Sequence, residues 1–154
     1  MKKLYLTALF LALLVLFCAC NASAPAAKEI ENSLSASGAF SDEENLITLE
    51  TKEITERFGF STALLEDYSV RVSKNEDEVY QFGVFVLKNK EDSNTVIDAI
   101  KQYLKPVTLD ETNNAAVSPH ILLMQTDSCV IFAVTPEREL AEEALISLGA
   151  KEIK

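Results

Sequence analysis

Nine residues from Val79 to Leu87 constrain the fold most. In an extended chain they put Tyr80, Phe82, Val84 and Val86 on one face, and Val79, Gln81, Gly83, Phe85 and Leu87 on the other. Side chains alternate faces along a strand, and aromatic and β-branched residues favour that conformation, so the run predicts the strongest strand in the chain. Just before it, Tyr68, Val70 and Val72 alternate with Ser69, Arg71 and Ser73, the pattern of a half-buried strand. Lys74-Asn75-Glu76-Asp77 between the two reads as a turn, and a meander is their simplest pairing.

Helical signals surround this pair. Ser41 followed by Glu44 looks like a capping box, and Ile47, Ile54 and Phe58 suggest a helix that ends at Gly59. Asp92 or Ser93 can cap a second helix carrying Val96, Ile97, Ile100, Tyr103 and Leu104, with Pro106 as its stop. Ile121 to Met124 and Cys129 to Val134 form a hairpin about Gln125-Thr126-Asp127-Ser128. In the last helix Thr135 is the expected cap, Pro136 the first position, and Leu140, Ala141, Ala144, Leu145 and Leu148 the apolar face. The order α-β-β-α-β-β-α predicts an α+β domain over 42–154. Its sheet is expected to be four-stranded, antiparallel or mixed, with helices packed on it. With 48% apolar and 25% charged residues the chain has a globular composition.

The first twenty residues follow another logic. Lys2 and Lys3 precede an apolar run from Leu4 to Phe17, broken only by Thr7. As a helix it is roughly 21 Å long, short of a bilayer core of about 30 Å, and it fits a cleaved export signal over 1–19. The run ends Leu16-Phe17-Cys18-Ala19-Cys20, which resembles the lipobox of bacterial lipoproteins. There a small residue precedes the Cys that receives the lipid, so Cys20, after Ala19, is the expected lipidation site, and palmitate-type chains are its expected cargo. Acyl chains contribute about 0.8 kcal/mol per buried CH₂, so two or three give a stable anchor. Residues 20–41, rich in Ala, Ser and Asn, then read as a lipidated flexible tether, with a short helix near Glu29 to Leu34 as the alternative. A tether of that length reaches about 25 Å on average and about 70 Å when extended. Loss of the signal removes two lysines and no acid, taking the net charge from −10 to −12. An anionic bilayer repels such a body, so the lipid must hold it. The same balance argues against nucleic acid.

The layout from Leu46 to Leu148 resembles the domain-of-unknown-function family 4358, found in small lipoproteins of Firmicutes. The features that carry the likeness are the lipobox, the tether, the helix ending Arg57-Phe58-Gly59, the strand Val84-Phe85-Val86-Leu87-Lys88, and the acid-flanked helix from Glu91-Asp92 to Tyr103. A hydrophobic hairpin and a terminal helix follow. The resemblance implies a location in the cell envelope and a domain type. It supplies no activity or catalytic residues.

Few residues suggest chemistry. Cys129, the one thiol that neither leaves with the signal nor takes lipid, starts an apolar strand and reads as a buried structural residue. His120 is the only imidazole; a Cys129–His120 pair is conceivable but has no third orienting group. One His offers a metal at most one imidazole, and the acid runs Asp42-Glu43-Glu44, Glu76-Asp77-Glu78, Asp110-Glu111 and Glu142-Glu143 follow no calcium-loop pattern, so no metal is expected. Gly59 and Gly83 are isolated, so no phosphate-cradling loop and no cofactor are expected. Tyr80, Phe82 and Phe85 would make a ligand platform if a sheet face were open, though the core is their stronger assignment. The leading expectation is a non-catalytic binding or interaction module on the outer face of the cytoplasmic membrane, with a cationic or polar ligand or an envelope protein as partner. An envelope hydrolase built on dispersed carboxylates and an accessory subunit of an envelope complex are the alternatives.

Overall fold

A computed structural model describes residues 26–40, 43–74, 80–109 and 120–153. Its centre is one antiparallel sheet in the order β1-β2-β3-β5-β4-β6. The strands are β1 (Leu46–Thr48), β2 (Leu65–Ser73), β3 (Gln81–Leu87), β4 (Ile121–Gln125), β5 (Cys129–Val134) and β6 (Lys151–Glu152). Helices α1 (Ala27–Ala36) and α4 (Arg138–Ser147) cover one face, and α2 (Thr51–Phe58) and α3 (Ser93–Leu109) cover the other. Helices packed on an antiparallel sheet give the expected α+β class, but the sheet has six strands rather than four.

The strand read most firmly is the hub. Every residue of β3 is buried. Phe82, Val84 and Val86 pack beneath α1 and α4, while Phe85 and Leu87 join Phe58, Ile100 and Phe132 beneath α2 and α3. Both antiparallel pairs form as expected, with Val70 opposite Gly83 and Leu123 opposite Phe132, while the turn expected at Lys74-Asn75-Glu76-Asp77 lies, from Asn75 on, outside the described residues.

Four boundaries differ from the sequence expectation. The helix expected from residue 42 begins only at Thr51, capped reciprocally by Glu50 and Glu53. The residues before it form β1, where Leu46, Ile47 and Thr48 pair with Ser73, Val72 and Arg71. The β-branched pair Ile47-Thr48 prefers the extended chain, and an open edge of β2 was there to receive it. Ser41, the expected cap, lies outside the described residues. Helix α3 runs through Pro106 to Leu109, because a proline near the C-terminal end forfeits one backbone hydrogen bond without ending the ladder. Helix α4 starts at Arg138, after Thr135 Oγ has accepted the Glu137 N–H at 3.2 Å, and Leu140 turns outward at 39% exposure. After α4, Lys151 pairs with Gln125 to give β6.

The largest correction concerns the tether. Residues 27–36 are helical, and Ile30 and Leu34 are fully buried against the sheet. The folded domain therefore reaches back at least to Ala26 rather than starting at 42, and the short helix that stood as the alternative near Glu29 to Leu34 is the one that forms. Ala27, Ile30, Glu31 and Leu34 are the buried residues of the helix, spaced at helical intervals. A glutamate in that stripe and a run of small residues around it conceal the periodicity.

Candidate functional site

The buried glutamate leads to a polar cluster between α1 and the sheet. Ser69 and Arg71 occupy the side of β2 that faces α1. Glu31 accepts the Ser69 hydroxyl at 2.8 Å and holds Lys28 Nζ at 3.0 Å. Arg71 Nη1 lies 3.7 Å from Glu31 and 3.5 Å from Glu43, and Nη2 donates to the carbonyls of Glu43 and Leu46. Arg71 Nε is buried and meets no acceptor among the described residues. One guanidinium thus joins α1, the segment before β1 and β2. The first turn of α1 is capped by a distant residue, since Asp67 of β2 accepts the Ala27 N–H at 2.9 Å. An uncompensated buried carboxylate would be costly, and the guanidinium and ammonium beside Glu31 remove that penalty. Glu31 and Glu43 are the nearest approach to a converging carboxylate pair, but both turn their oxygens to Arg71. The arrangement pins a helix; it does not present an acid and a base to a substrate.

Beyond the C-terminal end of α1 the surface opens into a groove of about 720 Å³, lined by Asn32, Ser35, Phe40, Glu43, Glu44 and Asn45 among others. The last carbonyls of α1 give this end partial negative charge, to which Glu43 and Glu44 add. Phe40 supplies an apolar floor, its ring 5.0 Å from that of Phe82. Lys74, which continues β2, ties the rim by donating its backbone N–H to Asn45 and its ammonium to the Glu44 carbonyl. A smaller groove of about 260 Å³ lies beside the polar cluster, between Lys28, Asp67 and Thr48. A third, of about 430 Å³, is lined by His120, Pro136, Glu137, Arg138 and Glu139.

The residues singled out by sequence do not assemble. Cys20 lies outside the described residues. Cys129 begins β5 at 1% exposure, and burial pushes its thiol pKa up, against reactivity. His120 sits at the other end of the hairpin, where its carbonyl accepts the Thr135 N–H. Six residues of strand separate the two, about 20 Å, so they form no nucleophile pair. Phe82 and Phe85 are buried on opposite faces while Tyr80 is exposed, so the aromatic platform does not exist. Of the acid runs, Glu142 pairs with Arg138 at 2.6 Å, while Glu76-Asp77-Glu78 and Asp110-Glu111 lie outside the described residues. No group of three or more His, Cys, Asp or Glu among the described residues could hold a metal ion. Nor is any described helix long and apolar enough to cross a membrane. The groove itself was missed: its residues come from α1, which stood only as the alternative helix near Glu29 to Leu34, and from the segment before β1, which was read as the start of a helix. The one available signal was the Ile30–Leu34 spacing.

The sequence model of one family, described as Domain of unknown function (DUF4358), matches residues 39–135, more than half of the chain. That span takes in β1 to β5 with α2 and α3, and leaves α1 and α4 outside it. No curated protein and no solved structure matches the chain.

Proposed function

The chain belongs to the DUF4358 family, and from its export-type N-terminus and its surface we propose that it is a lipoprotein. In this reading it is lipidated at Cys20, held at the outer face of the cytoplasmic membrane, and works as a binding module for a cationic or polar ligand. The groove at the end of α1 carries the binding part of this reading. It is the largest of the three described above, and its polar rim sets Glu44, Asn45 and the last carbonyls of α1 beside the Lys74 ammonium, while Glu43 is held by Arg71. The Glu44 carboxylate and the helix carbonyls are the groups that favour a positive or polar ligand there. The anchoring part is supported by Lys2, Lys3, the apolar run and Ala19-Cys20.

Two measurements test the parts separately. Cys20→Ala should move the protein from the membrane fraction to the medium; continued pelleting with the membrane would sink the lipoprotein reading. Thermal unfolding against calcium, polyamines and short basic peptides should give a raised Tm with one of these classes. A ligand at about 100 times its Kd adds roughly 2.7 kcal/mol of stability. Glu43→Gln with Glu44→Gln should abolish that shift. A flat response to the whole panel would remove the groove as a cation site.

A further inference from the structure

The large groove has two walls, and they come from separate parts of the chain. One is α1 with the turn that leaves it, through Asn32, Ser35 and Phe40; the other is the segment before β1, through Glu43, Glu44 and Asn45. Arg71 of β2 joins the two. Its Nη1 lies 3.7 Å from the Glu31 carboxylate on α1 and 3.5 Å from the Glu43 carboxylate. Nη2 donates to the carbonyls of Glu43 and Leu46 at 3.0 and 3.4 Å.

Both carboxylate contacts of Nη1 are open ones. A closed charge-assisted N–H···O bond is about 2.7–2.9 Å long, and Nη1 reaches that distance to neither acid. Arg71 Nε is buried with no acceptor among the described residues. One guanidinium is thus divided between two acids and saturated by neither. The acids are not equivalent. The Glu31 side chain is only 9% exposed, and it also holds the Lys28 ammonium at 3.0 Å and the Ser69 hydroxyl at 2.8 Å. The Glu43 side chain is 33% exposed and lines the groove, and Arg71 is its one ion-pair partner among the described residues. A positive group entering the groove therefore meets Glu43 and not Glu31.

On the reading that the groove takes a positive group, we propose that Arg71 couples the filling of the groove to the seating of α1. A cation beside Glu43 takes over its compensation, and the guanidinium closes on Glu31. Arg71 is then a positioning residue, since it touches no ligand itself. The gained contact lies at the more buried of the two acids, where solvent and salt screen an ion pair least. Helix α1 is ten residues long and held by tertiary contacts, so its seating is a local equilibrium apart from global unfolding. Linkage requires the converse as well: whatever draws Arg71 towards Glu31 frees Glu43 and raises the affinity of the groove for a cation.

Amide exchange in the full chain, purified in detergent, tests this first without a ligand. Glu43→Gln removes the competing charge and should slow the amides of Ile30 to Leu34 several-fold, with no such change at the centre of β3. Loss of an ion pair ordinarily loosens its neighbours, so a merely structural role for Glu43 gives the opposite sign. In a Glu31→Gln background the same substitution should leave α1 unchanged. If Glu43→Gln does not fold, Glu43→Asp keeps the charge but draws it back by one CH₂, and should slow α1 to a smaller degree. Unchanged or faster exchange in α1 would overturn the coupling, as would an effect that persists without Glu31. Spermine then serves as the cation. At saturation it should slow α1 in the native sequence and not in Glu31→Gln, whose groove lining is intact. Spermine that binds and leaves α1 unchanged would overturn the coupling and keep the groove. Spermine that does not bind counts against the groove as a cation site, with the coupling still decided by Glu43→Gln.

Discussion

Gly83 faces Phe132 across the β3–β5 pair, and a Cβ at this position would lie 2.3 Å from a ring carbon. The ring cannot swing aside, because Phe58, Phe85 and Tyr103 stand 5.7, 6.2 and 6.1 Å from it. Glycine weakens a strand intrinsically, yet here its missing side chain lets an aromatic lie over the backbone at the centre of the sheet. Gly83→Ala should therefore destabilise the fold by about 1–3 kcal/mol, the usual cost of overpacking a closed core. Urea denaturation measures it, and an unchanged midpoint would mean that the ring has room to move. The sequence showed an isolated glycine in a strand, but not the ring above it. Gly59 is the contrasting case, foreseen as the residue after a helix and found at φ 73° with its N–H on the Thr55 carbonyl.

Among the elements, α1 decides the most. Its apolar stripe covers Phe82, Val84 and Leu145, and its glutamate compensates Arg71. Its N-terminal cap comes from Asp67, forty residues away in sequence. No local pattern announces such a cap, and isolated short helices are marginal in water, so tertiary contacts hold this one. A chain reduced to 42–154 loses all of this and bares apolar sheet surface beside an Arg71 that keeps Glu43 but has lost Glu31. It should lose its cooperative thermal transition, or fall by more than about 3 kcal/mol, given the cost of emptying buried isoleucine and leucine sites. Circular dichroism melts of the two lengths decide the matter. A shortened chain that unfolds as steeply and at the same temperature would return 27–36 to the status of a tether.

At the scale of the whole molecule, two titrating groups report on the two faces of the sheet. Cys129 belongs to the core under α1 and α4, and Tyr103 packs against the core under α2 and α3, donating its hydroxyl to Gln81 at 2.6 Å. Burial pushes both groups up from their ordinary values of 9.0 and 10.0, and for Tyr103 it outweighs the opposing pull of Arg57. A raised pKa means that the folded chain holds a proton the unfolded chain has already released. Stability is thus complete below the ordinary thiol value and is lost as pH rises through the folded ones. Denaturation midpoints should hold steady near neutrality, begin to fall above about pH 9, and fall further above about pH 10. Cys129→Ala should remove the first step and leave the second; a midpoint flat into strong alkali would contradict the burial of both groups.

By itself the sequence determined what local chemistry determines. Period-two alternation in β2 and β3, the hairpin of β4 and β5, the glycine after α2 and the acid-poor, apolar N-terminus are all readable over a few residues, because strand pleat, turn geometry and hydropathy act at that range. The family, too, was legible from the order of those elements, and the match over 39–135 bears it out. Only the tertiary structure decided whether Ile47-Thr48 would be helix or strand, and whether the polar side of β2 would meet water or a helix. It likewise decided that 27–36 packs on the sheet as part of the folded domain. Each of these turns on a partner distant in the chain: the open edge of β2 for β1, and Ser69, Arg71 and Asp67 for α1. The candidate groove exists only where those late-decided segments meet, which is why no motif pointed to it.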